Sequence, residues 1–262
     1  MNNAEVLMSN ILNEIVAHKK KEVEQSKSIF PLSSLRASNG KGSFLQALQN
    51  PGLNIIAELK PKSPSAGTLR NDFKIEQILP VYNKYACALS VLTDSKYFDG
   101  SFELLSAVTK QSPLPTLCKD FIIDPYQCHL ARSCGAEAVL LIMKILDDKQ
   151  LKDLYAQIKD LGMTAVVEIQ NEAELKRAYN MLPEIILINN RNLEDFSIDL
   201  STTKKLVPLI SKQTITISAS GLESKQDIEK LRPFCTNFLV GSLFMRSSNL
   251  EKDFQDLIGV VT

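Results

Sequence analysis

Residues Ile55-Ile56-Ala57-Glu58-Leu59-Lys60-Pro61-Lys62-Ser63-Pro64-Ser65-Ala66-Gly67 hold an apolar run that ends in charge and then breaks into a Pro/Ser/Gly loop. A short apolar run bounded by Pro and Gly reads as a strand buried on both faces. Strand side chains alternate, so Glu58 and Lys60 fall on the same side. Opposite charges on a buried face are costly to desolvate. They either pair as structural glue or line a cavity.

Working outward, the pattern repeats. Strands are expected at Asn54–Lys60, Ala86–Thr93, Pro115–Asp120, Ala138–Ile142, Thr164–Ile169, Ile185–Asn189, Thr214–Ala219 and Asn237–Gly241. Helices are expected between and after them, at Ile75–Tyr85, Phe102–Gln111, Asp124–Cys134, Asp148–Leu161, Asn171–Met181, Leu200–Ile210, Ser224–Leu231 and Leu250–Val260. Asp124 suits an N-cap, with Pro125 at the first helical position, and Gly162 suits a helix stop. Eight apolar β runs alternating with helices define an α/β protein, a (β/α)8 TIM barrel; an open doubly wound sheet usually has fewer strands. Ahead of the barrel, Ala4–Lys27 reads as a helix with Val6, Ile11, Ile15 and Val16 on one side and Lys19-Lys20-Lys21 in solvent. Gly42–Leu48 reads as a second, shorter helix, and Asn50-Pro51-Gly52 ends this region. The expected organisation is one domain over 1–262, with an N-terminal helical extension (1–50) over the barrel mouth and eight βα units (54–262).

Composition narrows the function. The chain has 262 residues, 44% of them hydrophobic, with 30 Lys plus Arg against 30 Asp plus Glu. With no net charge there is no global field for nucleic acid or an anionic membrane, so no nucleic acid or membrane partner is expected. Bound anions must be met by locally gathered cations. Five scattered cysteines without C-x-x-C spacing and two histidines make a metal site unexpected and fit a reducing compartment. No run approaches the ~20 apolar residues of a membrane span. Met1–Lys21 lacks a signal-type apolar core, so a cytoplasmic location is expected.

In a (β/α)8 barrel the functional groups sit where strands end. Those ends carry Glu58 and Lys60 (strand 1), Thr93-Asp94 (2), Lys119-Asp120 (3), Glu168 (5), Asn189-Asn190-Arg191 (6), Ser218, Ser220 and Gly221 (7), and Gly241-Ser242 (8). Strand 4 ends apolar. A rim with this much charge points to an active site. Gly221, Gly241 and Ser242 let backbone N–H groups approach an anion, as in phosphate sites, or simply make tight turns; Ser63 can add a hydroxyl.

These segments resemble the indole-3-glycerol-phosphate synthase family. The matching motifs are IAELKPKSPSAG, SVLTD with Phe98–Ser101, LPTLCKDFIID, GAEAVLLI, Val167-Glu168 and INNRNL (Ile188–Leu193). The resemblance implies ring closure, decarboxylation and dehydration of 1-(2-carboxyphenylamino)-1-deoxyribulose 5-phosphate, with neither metal nor organic cofactor. It implies Lys119 as general acid for closure and Lys60 as partner of the substrate carboxylate or as the acid of dehydration. It implies Glu168 as acid/base at the departing hydroxyl, with Glu58 as its helper or as a positioner of lysine. Asn189, Arg191 and Ser220 are implied as substrate-binding groups, and Ser63, Gly221, Gly241 and Ser242 as the phosphate cradle. Phe98, Phe121 and Leu141 are candidates for the wall around the aromatic ring, or for ordinary barrel packing. A monomer or weak homo-oligomer is expected.

The sequence departs from the family at Ala219, where a glutamate is usual, and at Cys118, Gln170 and Leu187. Three readings therefore stay open: an active synthase, a related sugar-phosphate barrel with isomerase-like chemistry, and a non-catalytic ligand-binding paralogue.

Overall fold

Eight parallel strands close into a barrel in the computed structural model, which describes residues 3–259 except 39, 41 and 42, with side chains described from residue 11 onward. The strands are β1 (Asn54–Leu59), β2 (Ala88–Leu92), β3 (Thr116–Lys119), β4 (Ala138–Ile142), β5 (Thr164–Ile169), β6 (Ile185–Asn189), β7 (Ile215–Ala219) and β8 (Asn237–Val240). Each pairs with its sequence neighbours, and β8 closes on β1 with Asn54 opposite Asn237. The expected strand positions hold, trimmed by one or two residues at some ends. Ala86, expected to open strand 2, instead caps the preceding helix Ile75–Tyr85.

Alternation along the strands sorts the core into two layers. Ile55, Ala57 and Leu59 of β1 face outward and pack with the helices. Ile56 lies in the barrel interior with Leu140, Ile142, Val166, Leu187 and Leu239. The outer layer contains a buried aromatic cluster: the Phe244 and Phe254 rings stack at 4.4 Å, against Tyr82. Burial of this apolar surface is the main force holding helices to barrel.

The helices follow their sequence signals. Asp124 caps Pro125–Ser133 through a complete capping box with Gln127, and Gly162 takes the left-handed conformation just past Asp148–Asp160. Two helices, at Asn171–Met181 and Leu200–Ile210 in the sequence reading, finish here as 3-10 turns. The expected starts and ends at Gly42 and Val260 lie outside the described residues.

Helix α1 (Asn3–Ile29) precedes the barrel. Its inward stripe is Leu12, Ile15, Lys19 and Val23, at spacings of three and four. This corrects two expectations: Ile11 and Val16 are only partly buried, and Lys19 is 1% exposed rather than in solvent, while Lys20 and Lys21 are exposed. The side chain of Val6 lies outside the described residues. Leu12 and Ile15 pack with barrel-interior residues, and Val23 packs on Tyr126 and Leu130.

Candidate active site

A cleft opens at the C-terminal ends of the strands. From β1 and its loop come Glu58, Lys60 and Ser63; from β3, Lys119; from β6 and beyond, Asn189 and Arg191. The loops after β7 and β8 add Ser220, Gly221, Gly241 and Ser242. Glu168 is off the wall but is tied to it, because Asn189 Nδ2 donates to its Oε1 at 2.9 Å. The structure thus brings Glu58, Lys60, Ser63, Lys119, Asn189, Arg191, Ser220, Gly221, Gly241 and Ser242 to one cleft, whereas Thr93, Asp94, Asp120, Asn190 and Ser218 at the same strand ends do not line it.

Glu58 is 2% exposed. Its Oε1 lies 3.0 Å from Lys60 Nζ, and its Oε2 accepts from Ser90 Oγ at 3.3 Å. Tyr82 OH donates to the Glu58 carbonyl at 3.2 Å. Burial by itself pushes the Glu58 carboxyl up, but the charges of Lys60 and Lys119 and the two hydrogen bonds prevail and hold it below the usual carboxylate range. Lys119 Nζ lies 3.7 Å from Glu168 Oε2, too far for a tight hydrogen bond. The ammonium is thus oriented by charge while its protons remain available.

The β7 and β8 turns need their glycines for different reasons. Ser220 and Gly221 both have positive φ, at 68° and 76°, and a Cβ on Gly221 would collide with Ile198. At Gly241 the constraint is space: a Cβ would stand 2.6 Å from Glu58 Oε1. The β8 turn and the Glu58–Lys60 pair therefore interlock.

Phe98 gives the cleft an aromatic wall. Its ring lies 6.0 Å from that of Phe121, which stands behind it in the barrel-interior core with Leu140 and Ile142. Leu141, expected on this wall, packs instead in the outer layer, because strand alternation turns it toward the helices. Leu193 and Phe196 also line the cleft.

Several neighbours were not read from the sequence. Ser90 sits opposite Glu58 in the β1–β2 register, so its contact follows from pairing the strands. Arg246 lines the cleft and pairs with Glu223 at 3.2 Å. Asp94 and Asp120 do not enter the cleft; both turn to Lys19 of α1. Among the departures, Gln170 Nε2 donates to the Arg191 carbonyl at 2.8 Å, supporting the β6 loop. Cys118 is wholly buried behind Lys119, and Ala219 lines the cleft beside Ser220. Burial raises the thiol pKa of Cys118 far above its usual range, so it offers no nucleophile. Among the described residues, no group of His, Cys, Asp and Glu has the arrangement to hold a metal ion, and no helix is long and apolar enough to cross a membrane.

Barrel and rim cluster define the class: a (β/α)8 protein whose polar site stands at the C-terminal ends of its strands. The likeness to solved structures agrees on the fold. 3-Hexulose-6-phosphate synthase from Salmonella typhimurium superposes with a TM-score of 0.65 at 11% identity, covering 79% of this chain and 98% of that one. A chain of the tryptophan synthase complex from Pyrococcus furiosus gives 0.60 at 13% identity, covering 79% and 98%. The family model for indole-3-glycerol phosphate synthase matches residues 12–257, and the chain belongs to that family. It is 45% identical over 246 residues to the tryptophan biosynthesis protein TrpCF of Vibrio cholerae, covering 93% of this chain and 52% of that protein. It is 43% identical over 256 residues to TrpCF of Buchnera aphidicola subsp. Schlechtendalia chinensis, covering 97% and 55%. The chain therefore spans about half the length of these relatives.

Proposed function

We propose that the cleft converts 1-(2-carboxyphenylamino)-1-deoxyribulose 5-phosphate to indole-3-glycerol phosphate, carbon dioxide and water, a step of tryptophan biosynthesis. The observation that carries this reading is the composition of one cleft. It joins an aromatic wall, a lysine–glutamate pair set at 3.7 Å, and an anion-suited pair of glycine turns.

The substrate has two anionic ends and an aromatic ring. The phosphate suits the backbone around Ser220-Gly221 and Gly241-Ser242, with the Ser63 hydroxyl. The ring suits Phe98, backed by Phe121, and its carboxylate pairs with Lys60. Ring closure joins the carboxyl-bearing ring carbon to the ribulose carbonyl carbon. As that bond forms, the carbonyl oxygen takes a proton from Lys119 Nζ. The ring carbon is then sp3, and loss of carbon dioxide leaves its electron pair to restore the aromatic ring. Dehydration follows: the new hydroxyl leaves as water and the adjacent carbon gives up a proton. Glu168, held by Asn189, serves this step as acid/base, while Glu58 orients Lys60. General acid–base groups of this kind contribute about 10²–10⁴ each.

The test is the rise in indole fluorescence when wild-type protein meets the substrate, with Lys119→Ala alongside. Turnover in the wild type and a loss of at least about a hundredfold in Lys119→Ala are expected. No wild-type turnover by folded protein would overturn the reading, and full activity in Lys119→Ala would remove Lys119 from the mechanism.

A further inference from the structure

Lys19 is a cation in a place where a helix ordinarily puts an apolar residue. It occupies the inward stripe of α1 between Ile15 and Val23 and is 1% exposed. Its Nζ lies 2.8 Å from Glu22 Oε2, Asp94 Oδ2 and Asp120 Oδ1. Asp94 and Asp120 side chains are wholly buried. Burial opposes the ammonium, but the charges of Asp120, Asp94 and Glu22 outweigh it, so Lys19 stays protonated.

A buried ion cluster is an expensive way to dock a helix, since well-packed apolar groups commonly serve at least as well. Leu12, Ile15 and Val23 already supply such packing. The two aspartates are more informative. Asp94 directly follows Thr93 and caps the helix Ser95–Phe98, accepting from Tyr97 N at 2.8 Å. Asp120 directly follows Lys119; it accepts from Phe121 N and from Thr93 Oγ1, each at 2.7 Å. One ammonium thereby joins the segment after β2, which carries Phe98, to the segment after β3, which carries Phe121 and directly follows Lys119. α1 touches the same short helix again through His18, whose ring meets Tyr97 edge-on at 6.0 Å.

We propose that Lys19 is a positioning residue for the reaction: reaching in from outside the barrel, it clamps the loops after β2 and β3 and so sets the Phe98–Phe121 wall against the Lys119 ammonium. The proposal rests on the synthase reading of the cleft. It differs from a simple anchoring role in a measurable way. An anchor loses stability when removed and nothing else. A clamp on the proton donor loses turnover beyond its loss of stability, because small displacements of a reacting group are costly to rate.

The experiment compares Lys19→Met, Lys19→Arg and Val23→Ala. Val23 holds α1 on Tyr126 and Leu130, away from the cleft, so Val23→Ala weakens docking without touching the clamp. Each variant is assayed well below its own melting temperature. For Lys19→Met we expect kcat to fall at least thirtyfold further than in Val23→Ala, with KM moved by less than threefold. For Lys19→Arg, which keeps the charge and changes its shape, we expect a partial rescue. Equal kcat in Lys19→Met and Val23→Ala would overturn the proposal. If Lys19→Met does not fold, Lys19→Arg decides: a folded variant with unchanged kcat overturns it, and a tenfold loss of kcat supports it. Amide hydrogen exchange separates the clamp from the synthase reading. Without wild-type turnover that reading fails, and exchange still judges the clamp. Faster exchange over 93–98 and 119–121 in a folded Lys19 variant than in Val23→Ala supports it, and indistinguishable exchange overturns it.

Discussion

Gly241→Ala puts the interlock between the β8 turn and the Glu58–Lys60 pair to the test. The new methyl would stand 2.6 Å from Glu58 Oε1 and 3.0 Å from Glu58 Cβ. Glu58 cannot simply step aside, since Lys60 holds one carboxylate oxygen and Ser90 the other. Relief therefore breaks the contact with Lys60, a charge-assisted bond of about 1.5–3 kcal/mol. If that contact is used fully in the transition state, kcat/KM falls roughly tenfold to a hundredfold, at about 1.4 kcal/mol per tenfold. Overpacking adds about 1–3 kcal/mol to the loss of stability. The assay is indole fluorescence on single and double variants, with thermal melts alongside. In a Glu58→Ala background the 2.6 Å clash with the carboxylate is gone and only the 3.0 Å approach to Cβ remains, so Gly241→Ala should there cost kcat/KM far less than in the wild-type background. An equal loss in both backgrounds, or none in the wild-type background, would refute the argument.

Further outcomes follow from other contacts. Phe254→Ala removes a wholly buried ring stacked on Phe244 and should cost about 3–5 kcal/mol in denaturant unfolding, with activity retained at low temperature. Tyr82→Phe removes the bond to the Glu58 carbonyl and should cost about 1–3 kcal/mol, read the same way. Because the Glu58 carboxyl is held below its unfolded value, its contribution to stability is present above the unfolded carboxylate pKa, about 4.3, and is lost as pH falls through the folded value. Glu58→Gln should accordingly flatten the acid limb of the stability profile, and an unchanged limb would count against the Lys60 pairing. Ala219→Glu should change kcat/KM only modestly; a rise of several orders of magnitude would mean that the site is incomplete as it stands.

Much of the barrel was legible because it depends on local pattern. Period-two alternation alone places Glu58 and Lys60 together, and the Asp124-Pro125 cap and the Gly162 stop stand where their residue types indicate. What escaped reading has physical reasons. Ala138–Ile142 is apolar throughout, so the run carries no alternation to tell inward Leu140 from outward Leu141. Ser95–Phe98 and Ser242–Arg246 are too short to show helical periodicity. Lys19 sits in a run of three lysines that reads as solvated. Only its spacing from Leu12, Ile15 and Val23 marks it as inward, and its partners Asp94 and Asp120 lie far along the chain.

The charge count at the rim bears on why a site of this family can hold Ala219. In and just beneath the cleft stand the cations Lys60, Lys119, Arg191 and Arg246, against the carboxylates Glu58, Glu168 and Glu223. A glutamate at 219 would balance the two sets. With alanine the cleft keeps a surplus cation, in a protein whose overall charge is zero. For the proposed substrate, which bears both a carboxylate and a phosphate, that surplus favours binding, whereas alanine offers no hydrogen-bond acceptor on the β7 side. The two effects act on different constants. Surplus charge lowers KM and weakens as salt screens it, while a contact made only in the transition state appears in kcat. Ala219→Glu should therefore raise KM at low ionic strength and flatten its salt dependence. A KM that does not move with salt in either protein would mean the cleft's cations are already neutralised by their partners.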